Sequence, residues 1–286
     1  MKKQSILILL FSIPFLGISQ LYTPGAGVTD IDGNTYQTII INGQEWMSEN
    51  LRTNTYANGD QIPNVTESTP WSSLTTGAWA HYNNDNQYEN IYGKLYNWYT
   101  TADPRNVCPT GWHIPTDLEF TQLLVHYLDP SSVGNQYSYI AGGKLKKAGT
   151  QNWECPNSDA TNESGFSALA GGYRGGNGLF NGVGEDGSIW TSTEFNNGAI
   201  PLTDAYFRSL SCYGASTYNA LFPKKTGRVL RCMKNNSVGL NNILPANKYV
   251  IKVFDIMGNE SIEKPNELLF YLYNDGSVEK KIIIEK

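Results

Sequence analysis

The sequence predicts an α+β fold of small antiparallel sheets, two or three helices and long loops, with a small all-β unit at its C-terminal end. Three observations predict it. One stretch, residues 116–128, carries a capped helical pattern. Most of the remainder reads as β-branched runs broken by Asp-Gly, Asn-Gly and Gly-Gly turns. The composition then shifts at Asn235, and a linker-like segment leads into a last block of short strands.

The N-terminus is a targeting segment in this reading. Lys2 and Lys3 precede an apolar run from Ile6 to Ile18, and Gly17-Ile18-Ser19 supplies small residues for a cut after Ser19 or Gln20. The run is short for a membrane span of about 20 residues. Residues 1–20 are therefore expected to be a signal peptide, followed by a short N-terminal segment, 21–29. Charged residues make up 16% of the 286-residue chain, and 21 Lys and Arg stand against 26 Asp and Glu. No basic surface dominates, which argues against a nucleic-acid partner. The 40% hydrophobic content excludes global disorder.

Residues 29–49 read as hairpins. Asp32-Gly33 and Asn42-Gly43 are tight-turn pairs, with one strand, Thr35 to Ile41, between them. Residues 54–88 are polar and turn-rich, with Trp71 and Trp79 as anchors. A short helix is expected near Asn97–Ala102. Thr116-Asp117-Leu118-Glu119 is a capping box, and Phe120, Leu123, Leu124, Tyr127 and Leu128 follow at helical spacing until Pro130. Residues 142–147 fit helix or strand. Beyond Trp153, short strands alternate with glycine loops. Ser188–Thr193 and Arg228–Cys232 read as strands, and 171–176 and 182–187 as loops. Residues 235–247 form the linker. Residues 248–286 supply three strands, Tyr249–Phe254, Leu268–Tyr273 and Val278–Ile284, with an Asp275-Gly276 turn.

Four cysteines, Cys108, Cys155, Cys212 and Cys232, suit disulfides in an exported chain. Their spacing leaves three pairings open. No Cys-x-x-Cys occurs and the three histidines are scattered, so no metal site is expected.

Several phrases are specific when taken together. They are Gly43-Gln44-Glu45-Trp46-Met47-Ser48-Glu49-Asn50-Leu51, Tyr92-Gly93-Lys94-Leu95-Tyr96-Asn97-Trp98-Tyr99 and Cys108-Pro109-Thr110-Gly111-Trp112-His113-Ile114-Pro115-Thr116-Asp117. Gly165-Phe166-Ser167-Ala168-Leu169, Gly171-Gly172-Tyr173-Arg174, Trp190-Thr191-Ser192-Thr193-Glu194 and Val229-Leu230-Arg231-Cys232 follow in order. Residues 30–234 thereby resemble the Fibrobacter succinogenes major paralogous domain family, common in secreted bacterial surface proteins. That family is similar to the formylglycine-generating-enzyme branch of the C-type-lectin-like fold, so the resemblance implies an irregular α+β domain of that kind. It does not imply the oxidase chemistry. Those enzymes use a closely spaced cysteine pair, whereas Cys212 is followed by Tyr213-Gly214-Ala215-Ser216-Thr217. Residues 248–286, through Val253-Phe254-Asp255-Ile256-Met257-Gly258-Asn259-Glu260 and Leu269–Ile284, resemble a C-terminal sorting domain of type IX secretion. This implies export across the outer membrane, then surface attachment or release, with the secretion machinery as a partner.

The expected bridges are Cys108–Cys232, closing a long loop of the domain, and Cys155–Cys212 as the remaining pair. Candidate ligand-binding residues are Tyr173, Arg174 and Asn177. A planar aromatic, a fork of donors and an amide suit a sugar or peptide. The competing reading has Tyr173 and Arg174 bracing their loop. His113 lacks a nucleophile setting and reads as structural, as do His81 and His126. Calcium is considered at Asn83–Asn90, with the carboxylates Asp85 and Glu89, and at Gly182–Gly187; solvated turns are the preferred reading of both. No cofactor and no catalytic residue is assigned. The function expected is a secreted or cell-surface, non-enzymatic module binding a glycan or other surface polymer. The alternatives are a structural or adhesion protein without a small-molecule site, and an enzyme of unrecognised type.

Overall fold

The computed structural model describes residues 21–132, 137–196, 203–235, 250–259, 261–262, 266–273 and 278–282. The chain divides into two compact units, Met1–Asn235 and Asn236–Lys286. The expected signal peptide, all of the expected linker except Asn235, and the Asp275-Gly276 turn lie outside the described residues. Among the described residues, no helix is long and apolar enough to cross a membrane.

The first unit is α+β, with short helices, small antiparallel sheets and irregular loops. Its five-stranded sheet runs in the order Thr23–Pro24, Thr38–Ile41, Gln44–Met47, Met233–Lys234, Trp112–His113. Asn42 and Gly43 both take positive φ, 47° and 80°, the tight-turn geometry that their sequence favours. Ile39 and Ile41 alternate inward beside Trp46, whose ring meets Phe120 edge-on at 5.4 Å.

The expected single strand Thr35–Ile41 is two strands. Thr35–Tyr36 pairs with Val28–Thr29, whereas Thr38–Ile41 pairs with Gln44–Met47. The Asp30 carboxylate holds the first piece in its own hairpin. It accepts from the Asn34 amides and from the Tyr36 hydroxyl at 2.6 Å. Between the two pieces, the Gln37 N–H donates to Glu49.

The capped helix forms over Asp117–Leu123. Thr116 Oγ1 accepts from the Glu119 N–H, and Glu119 accepts from the Thr116 N–H at 2.7 Å. A π-helical turn, Leu124–Leu128, carries it to Asp129. Phe120, Leu123, Leu124 and Leu128 are buried with Trp153, Phe166, Ile189 and Leu210. Each such side chain contributes about 1.5–3 kcal/mol of burial. Asn97 caps the short helix Trp98–Thr101, accepting from the Thr100 N–H. Residues 142–147 resolve into the helix Ala141–Leu145 and an extended Lys146. A Cβ on Gly142 would lie 2.4 Å from the Ser216 carbonyl oxygen, so this contact requires glycine. Trp71 and Trp79 are buried anchors.

Two further expectations are corrected. Gly171–Arg174 is not loop but a strand paired with Phe180–Val183. The neighbouring backbone comes so close to Gly172 that a Cβ there would sit 2.5 Å from the Asn181 carbonyl oxygen. Conversely, Arg228–Cys232 forms no ladder of its own. Its backbone bonds go to different partners in turn. Arg228 exchanges both bonds with Tyr96, while the Val229, Leu230 and Cys232 carbonyls accept from Trp190, Leu51 and Met47. The segment threads between the sheets.

A four-stranded antiparallel sheet runs in the order Asp186–Glu194, Asp204–Ser211, Thr217–Pro223, Tyr137–Ser138. Disulfides join Cys108 to Cys232 and Cys155 to Cys212. The second unit is a three-stranded antiparallel sheet of Val250–Phe254, Leu268–Tyr273 and Val278–Ile282. Leu269 and Tyr271 are its buried residues, with Val253 packed against them.

Candidate functional site on the four-stranded sheet

Side chains alternate across a strand, so register assigns each residue of the four-stranded sheet to a face. Ile189 and Leu210 lie on one face, which packs on the helix Asp117–Leu123. Arg208 and Asn219 on that side both reach Asp117. Asp186, Ser188 and Trp190 occupy the other face. Opposite them in register stand Ser211, Ser209 and Phe207. The next strand continues the row with Tyr218, Ala220 and Phe222, and Tyr218 pairs with Tyr137 on the edge strand. Trp190, Phe207 and Ala205 at one end join the second buried cluster. The Asp186, Ser209 and Tyr218 end is polar.

Arg228 lies at the boundary between these two ends. Its backbone is fixed by the paired bonds to Tyr96, and Val229 bridges Ile189 beside it. Alternation then turns Arg228 to the Trp190 side. Its guanidinium carbon stands 3.5 Å from the Phe207 ring centroid, 4.9 Å from Phe222, 5.2 Å from Tyr173 and 5.3 Å from Trp190. Only 3% of the residue is exposed. Four rings surround one cation.

Buried charge is costly unless it is paired or hydrogen-bonded. Three other buried arginines obey that rule. Arg174 donates to the Gly178, Val65 and Thr66 carbonyls. Arg208 forms an ion pair with Asp117 at 2.6 Å. Arg231 donates to Asn50, Phe166 and Ser167. Arg228 is the exception: among the described residues its side chain has no hydrogen-bond acceptor and no carboxylate within ion-pair distance, and its Nε is fully occluded. Burial lowers its pKa, to about 9, so the guanidinium is still charged at neutral pH.

Asp186 shares the face. Its carboxylate is half-buried and has no hydrogen-bond donor among the described residues. Burial raises its pKa, and the field of Arg228 offsets part of that rise. Gly182 comes close enough that a Cβ there would lie 2.6 Å from Asp186 Oδ2. Ser188 Oγ, between them in the row, also has no partner. A donor fork and an acceptor thus stand unspent on one aromatic surface. Tyr137 and Tyr218 extend it as a stacked pair, 5.9 Å between centroids and 15° apart. Tyr139 meets Tyr137 edge-on at 4.5 Å and is 76% exposed. Such a surface can stack a flat ligand face and hydrogen-bond its polar edge.

The residues singled out by sequence divide here. Tyr173 borders the site, part-buried beside Arg228 and 6.4 Å edge-on from Phe222. Arg174 does not take part. It is fully buried, stacks on Trp71 at 4.2 Å, and its donors serve three main-chain carbonyls, so it braces the loop. Asn177 is exposed in the turn and accepts from the Leu179 N–H. Sequence reasoning missed Arg228 and gave Asp186 no role beyond a calcium loop. The available signal was the pair Arg228 and Arg231 in an apolar stretch with no acid nearby.

Other polar clusters are already satisfied. Glu89, considered for calcium, is engaged by His81 at 2.6 Å and Lys94 at 2.9 Å, and Asp85 caps the next turn by accepting from the Gln87 N–H. Among the described residues, no group of three His, Cys, Asp or Glu side chains is placed to hold a metal ion. A cleft of about 270 Å³ opens between Val28–Ile31 and Val107–Thr110. Three of its polar side chains are engaged internally: Thr53 and Thr55 donate to Asp32, and Asp30 holds its own hairpin. His113 bridges Glu119 and Asn235 through its two ring nitrogens, a structural placement. The side chain of His126 lies outside the described residues.

The Fibrobacter succinogenes major domain model matches residues 39–234. The chain belongs to that family. No curated protein and no solved structure matches it.

Proposed function

We propose that the chain is an extracellular, non-enzymatic binding module, and that the Asp186–Tyr218 end of its four-stranded sheet, beside Arg228, takes a glycan. The observation that carries this reading is the caged Arg228, which shares a sheet face with Asp186 and with the Tyr137–Tyr218 pair and has no hydrogen-bond partner for its side chain among the described residues. Keeping a buried cation unpaired is unfavourable for folding alone, and binding sites are where such costs are retained. Sugars present hydroxyls to acceptors and donors, and flat C–H faces to aromatic rings, which is the chemistry on this face.

The family, the two disulfides and the N-terminal apolar run support an exported protein. A C-type-lectin-like ancestry for the first unit and a type IX sorting role for the second belong to the same proposal. Deleting residues 248–286 is expected to leave the first unit folded but retained in the cell; unchanged secretion would contradict the sorting role.

The direct test of the binding role is a glycan array probed with the purified chain. Binding to a saccharide class that falls at least tenfold on Tyr218→Ala is the expected result. A blank from folded protein would overturn the glycan reading and leave a structural surface role.

A further inference from the structure

Resting on that reading, we infer that the ligand is an acidic saccharide, and that Arg228 receives its carboxylate. A neutral sugar would seat its hydroxyls on the guanidinium while leaving the buried cation uncompensated. An anion removes that penalty, and carboxylate is the anion whose planar geometry matches the fork.

The surroundings of Arg228 restrict how the anion arrives. Phe207 covers one face of the guanidinium at 3.5 Å, and Phe222, Tyr173 and Trp190 crowd it at 4.9–5.3 Å. Nε is occluded. The two terminal nitrogens are what the rings leave open, so a carboxylate meets them end-on and accepts two parallel N–H bonds. The aromatic walls exclude water from that contact, which strengthens it relative to a surface pair.

Asp186 sets the second condition. It is an acceptor on the same face, so it suits a sugar hydroxyl and repels a second carboxylate. Tyr218 and Tyr137, both exposed further along the same face, extend the surface that the next sugar unit would meet. The fitting chain therefore carries spaced carboxylates between neutral units.

The test is made on the ligand side, with the intact chain. Uronate-containing oligosaccharides are titrated beside their carboxyl-reduced counterparts by calorimetry. At least one acidic member is expected to bind ten or more times tighter than its reduced partner, and the preference is expected to vanish in Arg228→Met. If reduced and acidic members bind alike, or if folded Arg228→Met keeps the preference, the acidic assignment is wrong while the glycan reading survives. If neither set binds, both fall. The ligand pairs decide the matter even if the variant does not fold.

Discussion

Arg228 stacks on Phe207 at 3.5 Å with no hydrogen-bond acceptor or ion-paired carboxylate among the described residues, although every other buried arginine described in the fold has oxygen acceptors. The contrast makes a stability prediction. Arg231→Met strands the Asn50, Phe166 and Ser167 oxygens and should cost about 1–3 kcal/mol for each oxygen that finds no new donor. Arg228→Met orphans no hydrogen-bonded oxygen and removes a buried charge, at the loss of its ring contacts and of its field at Asp186, so it should cost far less than Arg231→Met. Urea unfolding of the two variants checks this. Equal large losses would mean that Arg228 is structural.

Lys146 is the opposite case, a buried cation fully used. Its ammonium donates to the Ser158, Ser211 and Gly214 carbonyls at 2.9–3.0 Å and lies 5.4 Å from the Trp153 ring. It ties the 158 and 211–214 segments to the helix Ala141–Leu145, as a bound ion would. Lys146→Met should destabilise by about 3 kcal/mol, one to a few kcal/mol being lost per orphaned acceptor set. The denaturation midpoint measures it. A midpoint matching the wild type would show that the carbonyls find water instead.

His113 supplies a pH dependence. Its hydrogen bond to Glu119 raises the imidazole pKa above 6.5, aided by Asn235, against the opposing effect of burial. A raised folded value means that protonation favours the fold. The contribution is complete below about 6.5, the ordinary value. It is lost as pH rises through the folded pKa. The unfolding midpoint of wild type relative to His113→Gln should therefore shrink between mildly acidic and alkaline pH. A difference that is flat or grows with pH contradicts the bridge.

The disulfides stabilise through the loops they close. Cys108–Cys232 spans 124 residues and Cys155–Cys212 spans 57. The chain-entropy relation gives about 5 and about 4 kcal/mol respectively. Thiol titration of the unreduced chain should find no free cysteine. Replacing both members of the longer bridge with serine should lower the midpoint more than the same change in the shorter one. Four titratable thiols would remove both bridges.

How much of this was legible in the sequence follows from how local each signal is. The capped helix and the Asn42-Gly43 turn are written in a few adjacent residues, and both form as read. The strand Thr35–Ile41 was misread because Asp30, outside it, divides it. Arg228–Cys232 has strand composition, yet its partners lie in three separate segments, around Met47–Leu51, Tyr96 and Trp190, which no local pattern reveals. The candidate site suffered most. Tyr173 and Arg174 are adjacent in sequence, but only Tyr173 borders the site. Arg228, Asp186, Tyr218 and Phe222 come together through strand register and remote segments. Whether an arginine is spent or free depends on carbonyls more than 60 residues away, as for Arg231 and Phe166, whose separation is 65.

The most direct measurement is the NMR signal of the terminal guanidinium Nη–H groups of the arginines in the intact chain, recorded while a uronate-containing oligosaccharide is added. The expected result is that the Arg228 resonance shifts and is protected from exchange, while those of Arg174, Arg208 and Arg231 hold still. If Arg228 is unmoved by every acidic and neutral saccharide tried, or if it shows a hydrogen-bonded signature in the free protein, the sheet face is not the binding site.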